Sequence, residues 1–238
     1  MSGSLGSAAQ YSAAAELDVL ANNARFNDWI AELLRSALSG RTLEVGAGIG
    51  TMSVRFAPYV DHLLSVEPAE NLATRLKSAT SAHGNVEPRT ALSSDVHERD
   101  FDAITYVSVL EHIEDDGAEL RLAHQLLAPS GRLAIFVPAM PSLYGTMDRL
   151  SDHYRRYTRA GLETIVRDAG FAIDQVHYLD VASVVPYWLA YRVVKIKTLG
   201  GGSGALFDRL LVPASRAIQR VWRRPPFGKN LVCLATRQ

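Results

Sequence analysis

The sequence has a single cysteine, Cys233, which excludes an internal disulfide and fits a reducing compartment. It also has no net charge: 25 basic residues balance 25 acidic ones, so no global field draws the chain to nucleic acid or a membrane. Long apolar runs are missing too. The longest one near the C-terminus, Val181 to Val194, is interrupted by Pro186 and Arg192 and falls short of the ~20 residues a spanning helix needs. Met1 to Ala15 is small and polar without the basic-then-apolar order of a signal peptide. These absences give a cytoplasmic expectation, with residues 1–12 as a disordered tail. The 238 residues, 47% hydrophobic, suffice for one sizeable core, so 13–238 is expected to be one α/β domain.

The zero charge is only a sum. Val181 to Lys229 holds nine basic residues and one acid, Asp208, and the remainder carries 16 basic against 24 acidic residues. Such a split suggests that one face meets something anionic. In the same segment Leu206, Leu210, Val212, Ile218 and Val221 form an apolar face with basic residues between them, beside Tyr187, Trp188, Tyr191 and Trp222. Two readings stay open: helices that cover the sheet edge or make a dimer contact, and an interfacial lid that meets lipid headgroups.

Hydrophobic periodicity predicts helix from about Ala14 to Ser39, with Gly40 ending it. Strands follow at Thr42–Val45, His62–Val66, Val86–Leu92, Phe101–Val109, Arg132–Val137, Phe171–Tyr178 and Leu231–Ala235. Between them lie helical stretches at Met52–Tyr59, Ala69–Thr80, Asp116–Leu127 (stopped by Pro129 and Gly131) and Thr158–Ala169. This alternation implies a mostly parallel sheet with helices on both faces. Residues 139–157 and 181–229 break the rhythm as inserts, the second containing Gly200-Gly201-Gly202-Ser203-Gly204, which reads as a hinge.

The segment Glu44-Val45-Gly46-Ala47-Gly48-Ile49-Gly50 follows a strand and opens a helix, so its glycines allow a tight turn and close approach of a ligand to the main chain. Glu67 ends the next strand, where a carboxylate can accept both ribose hydroxyls of an adenosine. The dinucleotide pattern G-x-G-x-x-G started at Gly46 needs glycine where Thr51 stands. Glu44 would also repel a pyrophosphate, whereas it suits the ammonium of a methionine moiety. A cationic cofactor fits better than an anionic one.

With these residues on the page, the chain resembles the class I S-adenosylmethionine-dependent methyltransferases. The resemblance rests on E-V-G-A-G-I-G, Val66-Glu67-Pro68, Phe101-Asp102-Ala103-Ile104, Val109-Leu110-Glu111-His112-Ile113 and Leu127-Ala128-Pro129-Ser130-Gly131-Arg132-Leu133, in this order. It implies a Rossmann-like seven-stranded sheet of order 3-2-1-4-5-7-6 with the last strand antiparallel. It implies that Glu44, Gly46, Ala47, Gly48 and Gly50 line the cofactor, that Glu67 holds the ribose, that Ala91 and Leu92 flank the adenine, and that Ser108 faces the methionine part. A narrower likeness joins Tyr144-Gly145, Asp148 and His153-Tyr154-Arg155-Arg156-Tyr157 to a bacterial subgroup that accompanies polysaccharide and lipid-carrier genes.

Methyl transfer to a hydroxyl requires alignment and removal of a proton. His112, just after the fourth strand, is a candidate base, with helix capping or packing on the cofactor loop as the other reading; His153 is the second catalytic candidate, and Asp148 is a further candidate base. Tyr144, Arg155 and Arg156 are candidate substrate contacts, because a guanidinium can clamp a carboxylate or phosphate; a solvated, salt-bridged lead-in is the alternative. Ser108-x-x-Glu111-His112 is similar to the Glu-x-x-Glu-His ligand motif of ubiquinone-pathway O-methyltransferases, but serine stands at the first ligand position, so no metal is expected.

The expected function is methyl transfer from S-adenosylmethionine to an oxygen or nitrogen of a small-molecule or lipid/sugar-linked acceptor, by a monomer or homodimer. Peripheral contact with the inner membrane face would run through 181–229. Nucleic acid is not expected as partner, since no Asn/Asp-Pro-Pro-aromatic signature occurs. The competing readings are a nicotinamide-dependent oxidoreductase and a non-catalytic cofactor-binding or membrane-docking module.

Overall fold

The computed structural model describes residues 14–196 and 201–238. The expected tail at 1–12 and Gly200 of the glycine cluster lie outside them. Seven strands form one sheet: β1 Arg41–Val45, β2 His62–Val66, β3 Val86–Arg89, β4 Phe101–Val107, β5 Leu127–Pro138, β6 Phe171–Leu179 and β7 Asn230–Arg237. Their order is β3-β2-β1-β4-β5-β7-β6. Strands β1 to β5 pair in parallel, and β7 runs antiparallel to both its neighbours. The architecture is the one the resemblance implied.

Alternation along the central strands builds a core on each face. Ile104, Tyr106, Leu133 and Ile135 pack with Leu120 and Leu126 of helix α5 (Asp116–Leu126) and with Leu162 and Val166 of α7 (Arg159–Asp168). The intervening Ala134 and Phe136 point the other way, onto Trp29, Ile30 and Leu34 of α2 (Ala24–Leu34) and Phe56 of α3 (Ser53–Phe56). Helix α4 (Glu70–Thr80) flanks β3, and α6 (Thr146–Leu150) lies in the first insert.

Strand order reverses between β1 and β4, which are neighbours with Val45 opposite Tyr106. Whatever follows those two strands therefore meets at the ligand edge of the sheet. The glycine turn follows β1, and Ser108 through His112 follow β4.

Three local expectations are corrected. The N-terminal helix is two helices, α1 (Ala14–Ala21) and α2, broken at Asn22 and Asn23. The start of α2 is held by Asp208, whose carboxylate accepts the N–H groups of Arg25 at 3.3 Å and Phe26 at 3.0 Å. Strand β5 begins at Leu127, and Pro129 and Gly131 lie inside it at a bulge where the pairing steps from Phe101–Leu127 to Ala103–Arg132. The glycine cluster is helical from Gly201 onward, as α9 (Gly201–Leu206). There a Cβ on Gly204 would stand 2.9 Å from Val19, so glycine permits close approach to α1.

Candidate active site

The chain leaves β1 through three glycines in the left-handed region, Gly46 (φ 69°), Gly48 (φ 57°) and Gly50 (φ 87°). At Gly46 a Cβ would lie 2.5 Å from Val109, in the segment after β4, so this glycine lets the two site segments touch. At Gly48 the nearest atom to a Cβ is Leu17 of α1 at 4.0 Å, and that side of the turn is open.

The turn's N–H groups point inward. Gly46 and Ala47 both donate to the Val66 carbonyl, Gly50 donates to that of Ala47, and Gly48 donates to Glu67 Oε2 at 2.9 Å. A pyrophosphate needs free N–H groups. These four are already used, and two carboxylates lie behind them, so the turn does not suit a dinucleotide. It does suit a sulfonium nucleoside, which asks for acceptors and carries positive charge.

Glu67 is buried, and its carboxylate accepts the N–H groups of Gly48 and, at 3.0 Å, Ala69. Burial pushes its proton affinity up, and the two N–H groups oppose that shift. Each oxygen keeps a second lone pair, the number two ribose hydroxyls require. Ala91 lies beside it, its N–H on the Glu67 carbonyl, and the Leu92 N–H is held by Asp95 at 3.0 Å.

Glu44 takes a different place from the one expected. It is 3% exposed, under the turn, with Oε2 accepting the hydroxyls of Ser53 at 2.5 Å and Ser65 at 2.8 Å. Burial raises its carboxyl to about 7. It therefore lies beneath the turn, bonded to two hydroxyls, and makes no open contact.

Beyond β4, Ser108 is exposed and left-handed (φ 55°), with its N–H on the Phe136 carbonyl. Leu110–His112 form a short 3-10 turn. The first insert folds back over it. The insert closes at its base by a bridge between Ala139 and Tyr157, and its Tyr154 N–H donates to the Glu111 carbonyl at 2.8 Å. This brings the rings of His112 and His153 edge to face, 4.6 Å apart. Burial lowers His112 to about 4, so it is a neutral imidazole and a weak base. Glu111, buried beside them, is raised by burial to about 7.

His153 is oriented by Asp148, whose Oδ1 lies 3.0 Å from Nδ1. Asp148 also accepts Arg156 Nε at 2.6 Å and the Gly145 N–H at 2.8 Å. Burial alone would raise its pKa, but His153 and Arg156 outweigh that and hold it below the usual carboxylate range. Asp148 is therefore a fixed anion that positions the ring, not the base it was a candidate for.

The substrate contacts expected of the arginines are replaced by internal ones. Arg156 is buried on Asp148, with further bonds to the Ala139 carbonyl at 3.2 Å and the Tyr187 hydroxyl at 2.6 Å. Arg155 lies on Asp116 at 2.8 Å and on the Glu114 carbonyl at 2.5 Å. The Tyr144 hydroxyl donates to the His153 carbonyl at 2.7 Å. All three hold the insert in shape. Glu111 entered the sequence reading only through a ligand motif that Ser108 leaves incomplete; nothing between Leu110 and His112 signals that its carboxyl is buried beside His153.

Comparison with known proteins gives the family. Residues 20–176 match the family model described as a methyltransferase domain. The chain belongs to that family. Among curated proteins it is similar to the ubiquinone biosynthesis O-methyltransferase of Nitrobacter winogradskyi, 34% identical over 97 residues, covering 40% of this chain and 37% of that protein. The corresponding protein of Xanthomonas axonopodis pv. citri is 27% identical over 154 residues, covering 57% of this chain and 64% of that one. The chain thus spans under two thirds of the length of these relatives.

Among solved structures, the S-adenosylmethionine-dependent methyltransferase from Mesorhizobium loti superimposes with a TM-score of 0.60 at 17% identity, covering 89% of this chain and 98% of that one. The [4+2]-cyclase SpnF superimposes with a TM-score of 0.59 at 19% identity, covering 90% and 81%. The fold of this methyltransferase-family chain is therefore shared with a cyclase, and its reaction has to be argued from the site.

Proposed function

We propose that the chain transfers the methyl group of S-adenosylmethionine to an oxygen atom of a small or lipid-linked acceptor. The observation that carries this reading is the inward-bonded glycine turn with Glu67 beside it, which offers acceptors and negative charge where a dinucleotide would need donors. When bound, the cofactor supplies an electrophilic methyl on a cationic sulfur. Glu67 holds the ribose, Ala91 and Leu92 border the adenine, Ser108 and the open face of Gly48 border the methionine part, and Glu44 lies below, where a cationic sulfur would favour its ionised form. The acceptor hydroxyl loses its proton at the cluster of Glu111, His112 and His153, and the folded-back insert excludes water there. The O-methyltransferase relatives support oxygen as the methylated atom.

The test is calorimetry with S-adenosylhomocysteine, followed by transfer of labelled methyl to candidate phenols and lipid extracts. Glu67→Ala is expected to weaken binding at least tenfold. No binding by the native chain, or equal binding by Glu67→Ala, refutes the reading. Binding of NAD(H) instead would favour the oxidoreductase.

A lipid-linked acceptor is favoured by a second observation. Most of the exposed large apolar side chains among the described residues fall between 185 and 227, including Trp188, Val194, Leu210, Val221 and Trp222. They lie on α8 (Val184–Trp188), α10 (Val212–Val221) and the chain around them, interspersed with Arg192, Arg209, Arg220, Arg223 and Arg224. Among the described residues no helix is long and apolar enough to cross a membrane. Side chains of this kind suit the plane of an anionic bilayer. Co-sedimentation with phosphatidylglycerol vesicles, reduced by Trp188→Ser with Leu210→Ser, is the expected result; equal sedimentation of native and variant chains counts against it.

A further inference from the structure

Glu111, His112 and His153 bring one carboxylate oxygen and two imidazole nitrogens within 4.8 Å of one another. We propose that they form a site for a first-row divalent cation of the zinc type. The donor set is the first argument. A carboxylate with two imidazoles is a set that binds such ions and leaves coordination positions open.

The second argument is a missing partner. Glu111 is 1% exposed, and its Oε2 has no hydrogen-bond partner among the described residues. A buried carboxylate oxygen is costly unless something positive faces it. Neither nearby guanidinium bonds to that oxygen, since Arg155 lies on Asp116 and Arg156 on Asp148.

The third argument is support. Asp148 holds Nδ1 of His153, which presents Nε2 as donor, and Asp148 is itself fixed by Arg156 and the Gly145 N–H. Carboxylate-held imidazoles are characteristic of ligating histidines. The His112 ring is steadied by the backbone at Ser151 and Asp152, in the same insert. The absence of metal expected from the sequence weighed only residues 108–112, where Ser108 lacks a donor. The third donor comes from His153, in a different segment.

Imidazole donors favour Zn2+, Co2+ or Ni2+ over Mg2+ and Ca2+. The cluster lies at the carboxyl end of β4, one contact from the glycine turn through Val109 and Gly46. An open coordination position there would receive the acceptor oxygen and lower the pKa of its hydroxyl, the proton passing to solvent. That role rests on the proposed methyl transfer; the binding of the ion does not.

The experiment uses the full chain, free of any affinity tag and stripped with a chelator. Titration with Zn2+ by calorimetry, and with Co2+ followed by its visible absorption, is expected to show one equivalent bound, with Mg2+ at least ~100-fold weaker. His153→Ala is expected to weaken Zn2+ by more than ~100-fold, beyond the ~10–100-fold that loss of a supporting partner costs. Glu111→Gln is expected to act likewise, and His97→Ala, exposed and outside the cluster, to leave the affinity unchanged. Each variant is also titrated with S-adenosylhomocysteine, which reports folding and the donor site separately. Loss of Zn2+ with retained homocysteine-ligand binding supports the site. No stoichiometric Zn2+ in the native chain, or equal affinity in native and His153→Ala, overturns it while leaving methyl transfer standing. Zn2+ binding without any binding of the homocysteine ligand would instead overturn the methyl-transfer reading alone.

Discussion

Alanine at Gly46 and at Gly48 separates two functions of the same turn. Both glycines have positive φ, 69° and 57°. A Cβ in that region costs about 1–2 kcal/mol at either position. At Gly46 the added methyl also meets Val109 at 2.5 and 3.0 Å, and overpacking of this kind adds roughly 1–3 kcal/mol. At Gly48 the nearest atom is 4.0 Å away, which is ordinary contact. Gly46→Ala should therefore lose about 2–5 kcal/mol and Gly48→Ala about 1–2 kcal/mol, measured as the change in urea unfolding free energy. Cofactor affinity should rank the other way. The Gly48 methyl stands on the open side of the turn, where the methionine part would lie, and S-adenosylhomocysteine should bind at least tenfold more weakly, about 1.4 kcal/mol. If Gly48→Ala binds the ligand as the native chain does, the cofactor does not lie against this turn. If it unfolds as easily as Gly46→Ala, the contact with Val109 is not what distinguishes the glycines.

Three further outcomes follow, two from buried polar groups and one from an exposed helix cap. Burial raises the Glu44 carboxyl from 4.5 to about 7, so the folded chain keeps a proton that the unfolded chain releases. Stability then falls as pH rises through that window, by up to about 3 kcal/mol from this group. Glu111 shifts in the same direction, so Glu44→Gln should reduce, without abolishing, the drop in urea midpoint between pH 5 and pH 8. Asp148→Asn leaves Arg156 uncompensated with its side chain 3% exposed; thermal and urea unfolding should show a loss of about 3–5 kcal/mol. Thr158 caps α7 by accepting the Gly161 N–H at 3.0 Å, and Thr158→Ala should cost about 1 kcal/mol by the same measurement, with no change in ligand binding.

Where local pattern and tertiary role agree, the sequence was readable. The apolar run of β2 was found at its observed bounds, His62–Val66, and the glycine turn with Glu67 led to the cofactor. The strand order came from resemblance, since periodicity says nothing about which strands pair. The errors have physical causes. Pro129 and Gly131 resemble a helix stop, but here they serve a bulge where a Cβ at 131 would approach the Phe101 carbonyl within 3.0 Å. Glycine has poor helix propensity, yet at Gly204 of α9 the close approach to α1 calls for it. Arg155 and Arg156 looked like a clamp because Asp116 and Tyr187 lie far off in sequence, and because the pairing of Arg156 with Asp148 depends on how the insert between them folds. The inward turn of Glu111 depends on the insert folding back over it, which no local window contains.

The wiring of the glycine turn bears on how this chain could change its cofactor in evolution or in the laboratory. On the proposed cofactor reading, selectivity between S-adenosylmethionine and a dinucleotide would reside largely in main-chain N–H groups bonded to Val66, Ala47 and Glu67. Side-chain replacement can weaken the native ligand, but it cannot turn four committed donors outward. A switch to a dinucleotide would call for grafting a different loop between β1 and α3, of different length and path. Point mutation in this region should yield loss of binding long before it yields exchange.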